Sequence, residues 1–217
     1  MDLTHYGHAC VLAELTGRDR PVRILFDPGT YSHGFDELRD LDLIVLTHTH
    51  PDHCDDSRVS ALAAHNPRAR LVHGADADDR FPDLACPRRR VAPGDTLDAE
   101  GVTVTVTGGA HAPIHPDLPG GGNLGYLLDD ALFHPGDSFD RPPGNADIVL
   151  IPAGGPWMRL SEAVDYVRAT RPAVAVPIHQ AGLAPAHQQM HHQLLTKLAP
   201  PGTDVVLLDH ATPRTLR

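Results

Sequence analysis

Hydrophobic positions along the chain fall into short runs of strand length, divided by turns rich in glycine and proline, with a few stretches at helical spacing. Residues 9–13 and 22–26 read as neighbouring strands joined through the turn-forming Thr16-Gly17-Arg18-Asp19. Residues 41–46 are almost continuously apolar, the pattern of a strand covered on both faces. Val59, Leu62 and Ala63 give residues 57–65 a helical stripe, which Asn66-Pro67 ends. Residues 71–73 read as a strand, and the alternating β-branched residues of 102–106 predict another. Residues 124–128 and 131–133 flank Asp129-Asp130 as the arms of a hairpin, and 148–151 form a buried strand. Ser161-Glu162 predicts the cap of a helix running to Arg168, closed by Arg171-Pro172, with Ala163, Val164 and Val167 on one face. Residues 174–178 read as a strand, 188–198 as a helix and 205–208 as the last strand.

These runs contain a weak internal repeat. Residues 24–29 (Ile-Leu-Phe-Asp-Pro-Gly) match residues 131–136 (Ala-Leu-Phe-His-Pro-Gly) in pattern, and each is followed by a buried strand beginning at Asp42 or Asp147. The expected architecture is an α/β fold, specifically an αββα sandwich. Two similar β-rich halves face each other with helices outside, and the strand ends of both halves meet at one edge.

Composition narrows the functional classes. A chain of 217 residues suits one domain over 1–217, and 19 Gly with 21 Pro stays below the range expected of a disordered chain. Eighteen Lys+Arg against 28 Asp+Glu give a net charge of −10, which argues against nucleic acid or an anionic membrane as partner. The start Met1-Asp2-Leu3-Thr4-His5 lacks the pattern of a secretory signal, and no apolar run suits a membrane span. Three dispersed cysteines, Cys10, Cys54 and Cys86, exclude a disulfide framework and make a reducing cytoplasm the expected location. Sixteen histidines change the picture most, because histidine is the commonest metal ligand.

The densest chemistry lies in Thr47-His48-Thr49-His50-Pro51-Asp52-His53, directly after the apolar run ending at Leu46. His48 and His50 are two apart, so on extended backbone they face the same way and can share a cation. Asp52 and His53 follow as the chain turns, and one cation has no room for all four plus later ligands. Two adjacent metals, about 3.5–4 Å apart, are the expectation. His111, Asp137 and His179 each follow a strand, with Gly or Pro nearby, and complete five His and two Asp. Asp27 reads either as support for a ligand histidine or as a turn residue before Pro28. His8, His115 and His134 are candidates to line a substrate pocket, with a structural role as the alternative; Trp157 either walls that pocket or packs in the core. His187, His191 and His192 read as a solvated helix face, and Cys54 as a small buried residue.

The H-x-H-x-D-H run, with His111, Asp137 and His179 downstream, resembles the metallo-β-lactamase superfamily over nearly the whole chain. Gly7-His8-Ala9, Gly136-Asp137-Ser138 and residues 152–155 are most similar to the branch of L-ascorbate-6-phosphate lactonase-like proteins. The resemblance implies an αββα fold in which His48, His50 and His111 bind one metal and Asp52, His53 and His179 a second, with Asp137 bridging. It also implies Asp52 as the catalytic residue that orients the nucleophile. Two divalent ions would lower the pKa of a bridging water from about 16 towards 7, giving a hydroxide for hydrolysis. Zinc is the first assignment, with manganese or iron as alternatives. The expected function is a metal-dependent hydrolase of a small ester, lactone or phosphoester. The alternative is a non-hydrolytic metal enzyme of the same fold, with iron-dependent redox or sulfur chemistry. Loops 31–36 and 112–122 are expected to set selectivity.

Overall fold

The computed structural model describes residues 1–118 and 120–216. The first half of the chain forms β1 (Asp2–His5), β2 (Val11–Thr16), β3 (Pro21–Phe26), β4 (Leu43–Val45), β5 (Arg70–His73) and β6 (Arg88–Arg90), with α1 (Asp56–His65) between β4 and β5. The second forms β7 (Thr96–Ala99), β8 (Val102–Gly108), β9 (Leu124–Leu128), β10 (Leu132–His134), β11 (Ile148–Pro152), β12 (Val174–Ile178) and β13 (Asp204–Val205). Its helices are α2 (Leu160–Thr170), between β11 and β12, and α3 (Pro185–Leu198), between β12 and β13; β14 (Arg214–Thr215) returns to pair with β1.

Each half makes one sheet, and the two share a plan. The pairs β1–β2 and β2–β3 are antiparallel, while β3–β4, β4–β5 and β5–β6 are parallel. In the other sheet β8–β9 and β9–β10 are antiparallel, and β10–β11, β11–β12 and β12–β13 are parallel. The segments matched in the sequence repeat are therefore β3 and β10, each beside its parallel neighbour.

Period-two alternation sorts side chains between layers. Val11, Ile24, Phe26 and Val45 of one sheet pack against Val104, Tyr126, Leu132 and Leu150 of the other, forming the central core. Leu12, Leu25, Ile44 and Leu71 face the opposite way and bury Val59, Leu62 and Ala63 of α1. Leu127, Phe133, Val149 and Ile151 cover Ala163, Val164 and Val167 of α2 with Leu195 of α3. The result is the expected αββα sandwich. Among the described residues, no helix is long and apolar enough to cross a membrane.

Several boundaries differ from the sequence reading. The run 9–13 enters its strand only at Val11, because Cys10 N–H closes a turn onto the Gly7 carbonyl at 3.0 Å. The apolar run 41–46 pairs only over Leu43–Val45. Ser161 does not cap α2: Arg159 is the cap residue, and the Glu162 carboxylate accepts its N–H at 2.5 Å. Helix α3 starts at Pro185, where a proline has no hydrogen bond to lose. The last strand ends at Val205; beyond Val206 the chain leaves β12 and Leu207 is 46% exposed.

Candidate metal centre

Parallel strands deliver their C-terminal ends to a common edge, where α/β folds place their sites. Asp27 follows β3, the turn 47–53 follows β4, Asp137 follows β10, Gly154 follows β11 and His179 follows β12. The edge is stitched across the sheets. Tyr126 O–H donates to the Leu46 carbonyl, Leu124 N–H to the Thr47 carbonyl and His179 N–H to the His8 carbonyl, each at 2.8 Å.

Local backbone chemistry explains the dense turn. Asp55 caps α1, accepting the N–H groups of Ser57 and Arg58 at 3.1 and 3.2 Å. That leaves the Asp52 carboxylate free to face inward. The turn approaches so closely that a Cβ at Gly29 would lie 1.9 Å from the Asp52 carbonyl oxygen, and one at Gly136 would lie 2.1 Å from Asn123 Oδ1. Three non-glycine residues here hold left-handed backbone: His8 (φ 50°), Asp27 (φ 45°) and His179 (φ 62°). Strain of this kind, about 1–3 kcal/mol per residue, persists only where the surroundings over-determine the conformation.

All seven sequence-selected residues converge. His48, His50 and His111 offer nitrogen atoms within 4.8 Å of one another, and Asp52, His53 and His179 form a second such group together with His8. Asp137 stands between them: Oδ2 is 3.1 Å from His111 Nε2, and Oδ1 is 3.1 Å from both His53 Nε2 and His179 Nε2. His53 Nε2, His179 Nε2 and Asp137 Oδ1 are buried and make no hydrogen bond despite that proximity. Unpaired buried polar atoms cost about 1–3 kcal/mol each. Three of them aimed at one point are what a cation would satisfy, so the residues fit a metal.

The ring nitrogens facing away from this point are mostly held. His53 Nδ1–H donates to Asp27 Oδ2 at 2.7 Å, His111 Nδ1–H to the Ala112 carbonyl at 2.6 Å, and His179 Nδ1–H to the Gly154 carbonyl. Thr47 O–H donates to Asp27 Oδ2 at 2.7 Å and accepts from His48 Nδ1 at 3.0 Å. These bonds fix the tautomer that presents Nε2 inward. His50 differs: it is exposed, and its Nδ1 lies 3.1 Å from His48 Nε2.

The carboxylates set the protonation pattern. Burial opposes charge on His53, yet the charges of Asp137 and Asp27 hold its pKa well above the ordinary histidine value. Burial and the His53 charge push His48 well below it. Burial would raise Asp137, but the charge of His53 and the hydrogen bond from His111 keep it well below the carboxylate range. Asp52 is also held low: burial is outweighed by the hydrogen bond from His8 Nε2–H at 3.0 Å and by nearby histidines. Burial pushes His8 down to about 4, against the pull of Asp52.

The pocket candidates separate. His8 lines a cleft of about 480 Å³ beside Asp52 and His179. His134 does not: it is 0% exposed, donates from Nε2 to the Ala9 carbonyl at 3.2 Å, and accepts the Gly136 N–H on Nδ1 at 3.0 Å. Its ring sits beside Phe26, with centroids 5.1 Å apart, because β10 carries it into the space between the sheets. His115 is exposed, and its Nδ1 accepts the Asp117 N–H at 3.1 Å within its own loop. Among the described residues it makes no hydrogen bond to the cluster. Trp157 does not wall the cleft either; its indole N–H donates to Asp137 Oδ2 at 2.8 Å. His191, read as solvated, is half-buried and donates from Nδ1 to the Ala153 carbonyl at 2.7 Å. Thr47 and the Gly154 carbonyl were missed. Thr47 adjoins the H-x-H run and was open to notice, whereas a backbone carbonyl has no sequence signal.

With this geometry in view, the comparisons with known proteins decide the family. The model of the beta-lactamase superfamily domain matches residues 2–179. The chain belongs to that family. The superfamily match takes in every strand that delivers a candidate ligand. Protein Rv0786c of Mycobacterium tuberculosis is 45% identical, over 91% of this chain and 92% of its own. The UPF0173 metal-dependent hydrolase Ta0764 of Thermoplasma acidophilum is 29% identical over 80% of each chain. The superfamily fold is matched in three dimensions by Igni18, a metallo hydrolase of Ignicoccus hospitalis. Its TM-score is 0.69 at 21% identity, covering 100% of this chain and 99% of that one.

Proposed function

We propose that this protein is a metal-dependent hydrolase with a dinuclear centre, cleaving a small ester, lactone or phosphoester. The observation that carries the reading is the trio of buried, unpaired ligand atoms on His53, His179 and Asp137, with a second nitrogen cluster on the far side of the same carboxylate. His48, His50 and His111 would hold one cation, Asp52, His53 and His179 the other, and Asp137 would contact both. Cations there would supply Lewis-acid activation of water and of the scissile bond. The nitrogen and oxygen donors, without thiolate, suit zinc first, then manganese or iron.

The chain's own residues supply the remaining steps. Asp52 is ionised, lines the cleft and is oriented by the neutral His8 ring. It can accept the proton of the attacking water and return it to the leaving oxygen. Asp27 and Thr47 hold the histidines so that their lone pairs face the centre. The similarity of Gly7-His8-Ala9 and Gly136-Asp137-Ser138 to the L-ascorbate-6-phosphate lactonase-like branch supports a lactone or ester over other classes. We further propose a small molecule as the substrate, neither nucleic acid nor membrane as a partner, and a reducing cytoplasm as the location, in keeping with three buried free thiols.

The test is metal analysis by plasma mass spectrometry beside a screen of esters, lactones and phosphodiesters. Hydrolysis that a chelator abolishes and a divalent ion restores is the expected result. Hydrolysis indifferent to chelation contradicts it.

A further inference from the structure

The cleft beside the centre has a character of its own. Its outer walls are Tyr31, Pro51, Pro156 and Leu183, and Gly182, also lining it, faces open space. Tyr31 meets the His8 ring at a steep angle, with centroids 5.3 Å apart, and is 56% exposed, so part of its ring is open to a ligand. Polar groups cluster at the inner end, on His8, Asp52 and His179.

Among the described residues that line this cleft there is no lysine or arginine. Two arginines lie close to the turn that carries Asp52, and both are committed elsewhere. Arg58 forks onto Asp36 at 2.7 and 2.8 Å and donates to the Ser32 carbonyl at 2.6 Å. Arg80 forks onto Asp56 and donates to the Thr49 carbonyl at 2.8 Å. The chain as a whole carries −10. A negative group lying outward from the scissile bond would lose water and meet no cation there, only the Asp52 carboxylate. An uncharged arm would bury apolar surface against Tyr31, Pro156 and Leu183.

We propose that the substrate is an uncharged ester or lactone whose apolar or aromatic arm lies in this cleft, and not a substrate carrying a remote phosphate. The inference rests on the hydrolase reading and narrows it. Hydrolysis adds one water across the acyl C–O bond: the water oxygen forms the new bond to the acyl carbon, and one of its protons goes to the departing alkoxide. No other co-reactant is needed. The similarity to proteins acting on a phosphorylated lactone would then reach the scaffold and the centre but stop at the cleft.

The experiment separates preference from turnover. Metal-loaded protein is given two γ-lactones with arms of equal length, one ending in methyl and one in phosphate. Binding of the matching non-hydrolysed lactams is read in parallel from the fluorescence of Trp157, the single tryptophan. At least about tenfold preference for the uncharged member, in kcat/KM and in lactam affinity, is expected. Tyr31→Arg, which sets a cation at the exposed mouth, should narrow or reverse that preference while the bound metal stays constant. Equal or tighter binding of the phosphate-bearing lactam overturns the inference. If the lactams show the expected preference but neither lactone is turned over, the cleft assignment stands and the hydrolase reading fails.

Discussion

In the first sheet, the parallel pair β3–β4 ends in Asp27 and in the turn that carries His48, His50, Asp52 and His53. In the second, the matching pair β10–β11 ends in His134, Asp137 and the carbonyl of Gly154. Asp27 and His134 occupy corresponding positions of the repeat, both fully buried, with Asp27 Oδ2 3.8 Å from His134 Nε2. Their partners differ. Asp27 accepts from Thr47 and His53, side chains that build the centre, whereas His134 bonds to the backbone of Ala9 and Gly136. One half concentrates donors in a single turn, and the other contributes three separated groups, His111, Asp137 and His179. A repeated backbone therefore supplies matching strand ends, and the side chains on those ends decide which half does which part of the chemistry.

The sharpest way to break the comparison is at Asp137, the residue from the second half that touches both groups. Asp137→Asn removes the negative charge facing both cation positions, so both metals should be lost and activity should fall by more than about 10²-fold. His111→Ala removes one neutral donor and should mainly weaken the cation nearest His48. Plasma mass spectrometry distinguishes the two, and circular dichroism should show an intact fold, because both residues lie beyond the strands.

Next in size is the matched pair. Asp27→Asn should lower metal affinity about 10–100-fold, the usual effect of removing the carboxylate behind a ligand histidine. His134→Asn should instead cost on the order of 1–3 kcal/mol of stability through its two backbone hydrogen bonds, with both metals retained. A thermal melt beside metal titration would read the contrast. Equal metal loss in both variants would show the halves to be functionally alike at this position.

Much of this was legible in the chain, and the reasons are physical. The αββα layering followed from period-two runs and helical stripes, because each layer must bury one face. The seven residues now seen together stood out because ligand-type side chains directly follow apolar strands. Strands β6 and β14 gave no signal, since Arg88–Arg90 and Arg214–Thr215 are short polar edge segments without an apolar alternation. The histidines were misjudged where position along a strand or helix did not reveal depth. His134 is buried because β10 is covered on both faces, and His191 because α3 lies against the loop after β11.

Acid should act on the two cation positions through their histidines. Burial opposes charge on His53 and His111, yet Asp137 raises both, with Asp27 adding to the effect at His53. A raised pKa keeps the proton on the ring to higher pH, where it competes with a cation for Nε2. Metal retention should therefore strengthen as pH rises and weaken as it falls, with protons released on binding. Equilibrium dialysis across that range reads the slope, and pH-independent retention would contradict the assignment.

The smallest effect is expected at His191, whose side chain ties α3 to the Ala153 carbonyl through one hydrogen bond among the described residues. His191→Ala should cost about 1 kcal/mol of stability, with metal content unchanged. A loss of metal would mean that the loop carrying Gly154 depends on α3 more than one hydrogen bond implies.

The most direct test of the central claim is anomalous X-ray diffraction from metal-loaded crystals of the full chain. Two peaks are expected, one among His48, His50 and His111 and one among Asp52, His53 and His179, with Asp137 contacting both. A single peak, or a cation held without Asp137, would contradict the account of two unlike halves sharing one dinuclear centre.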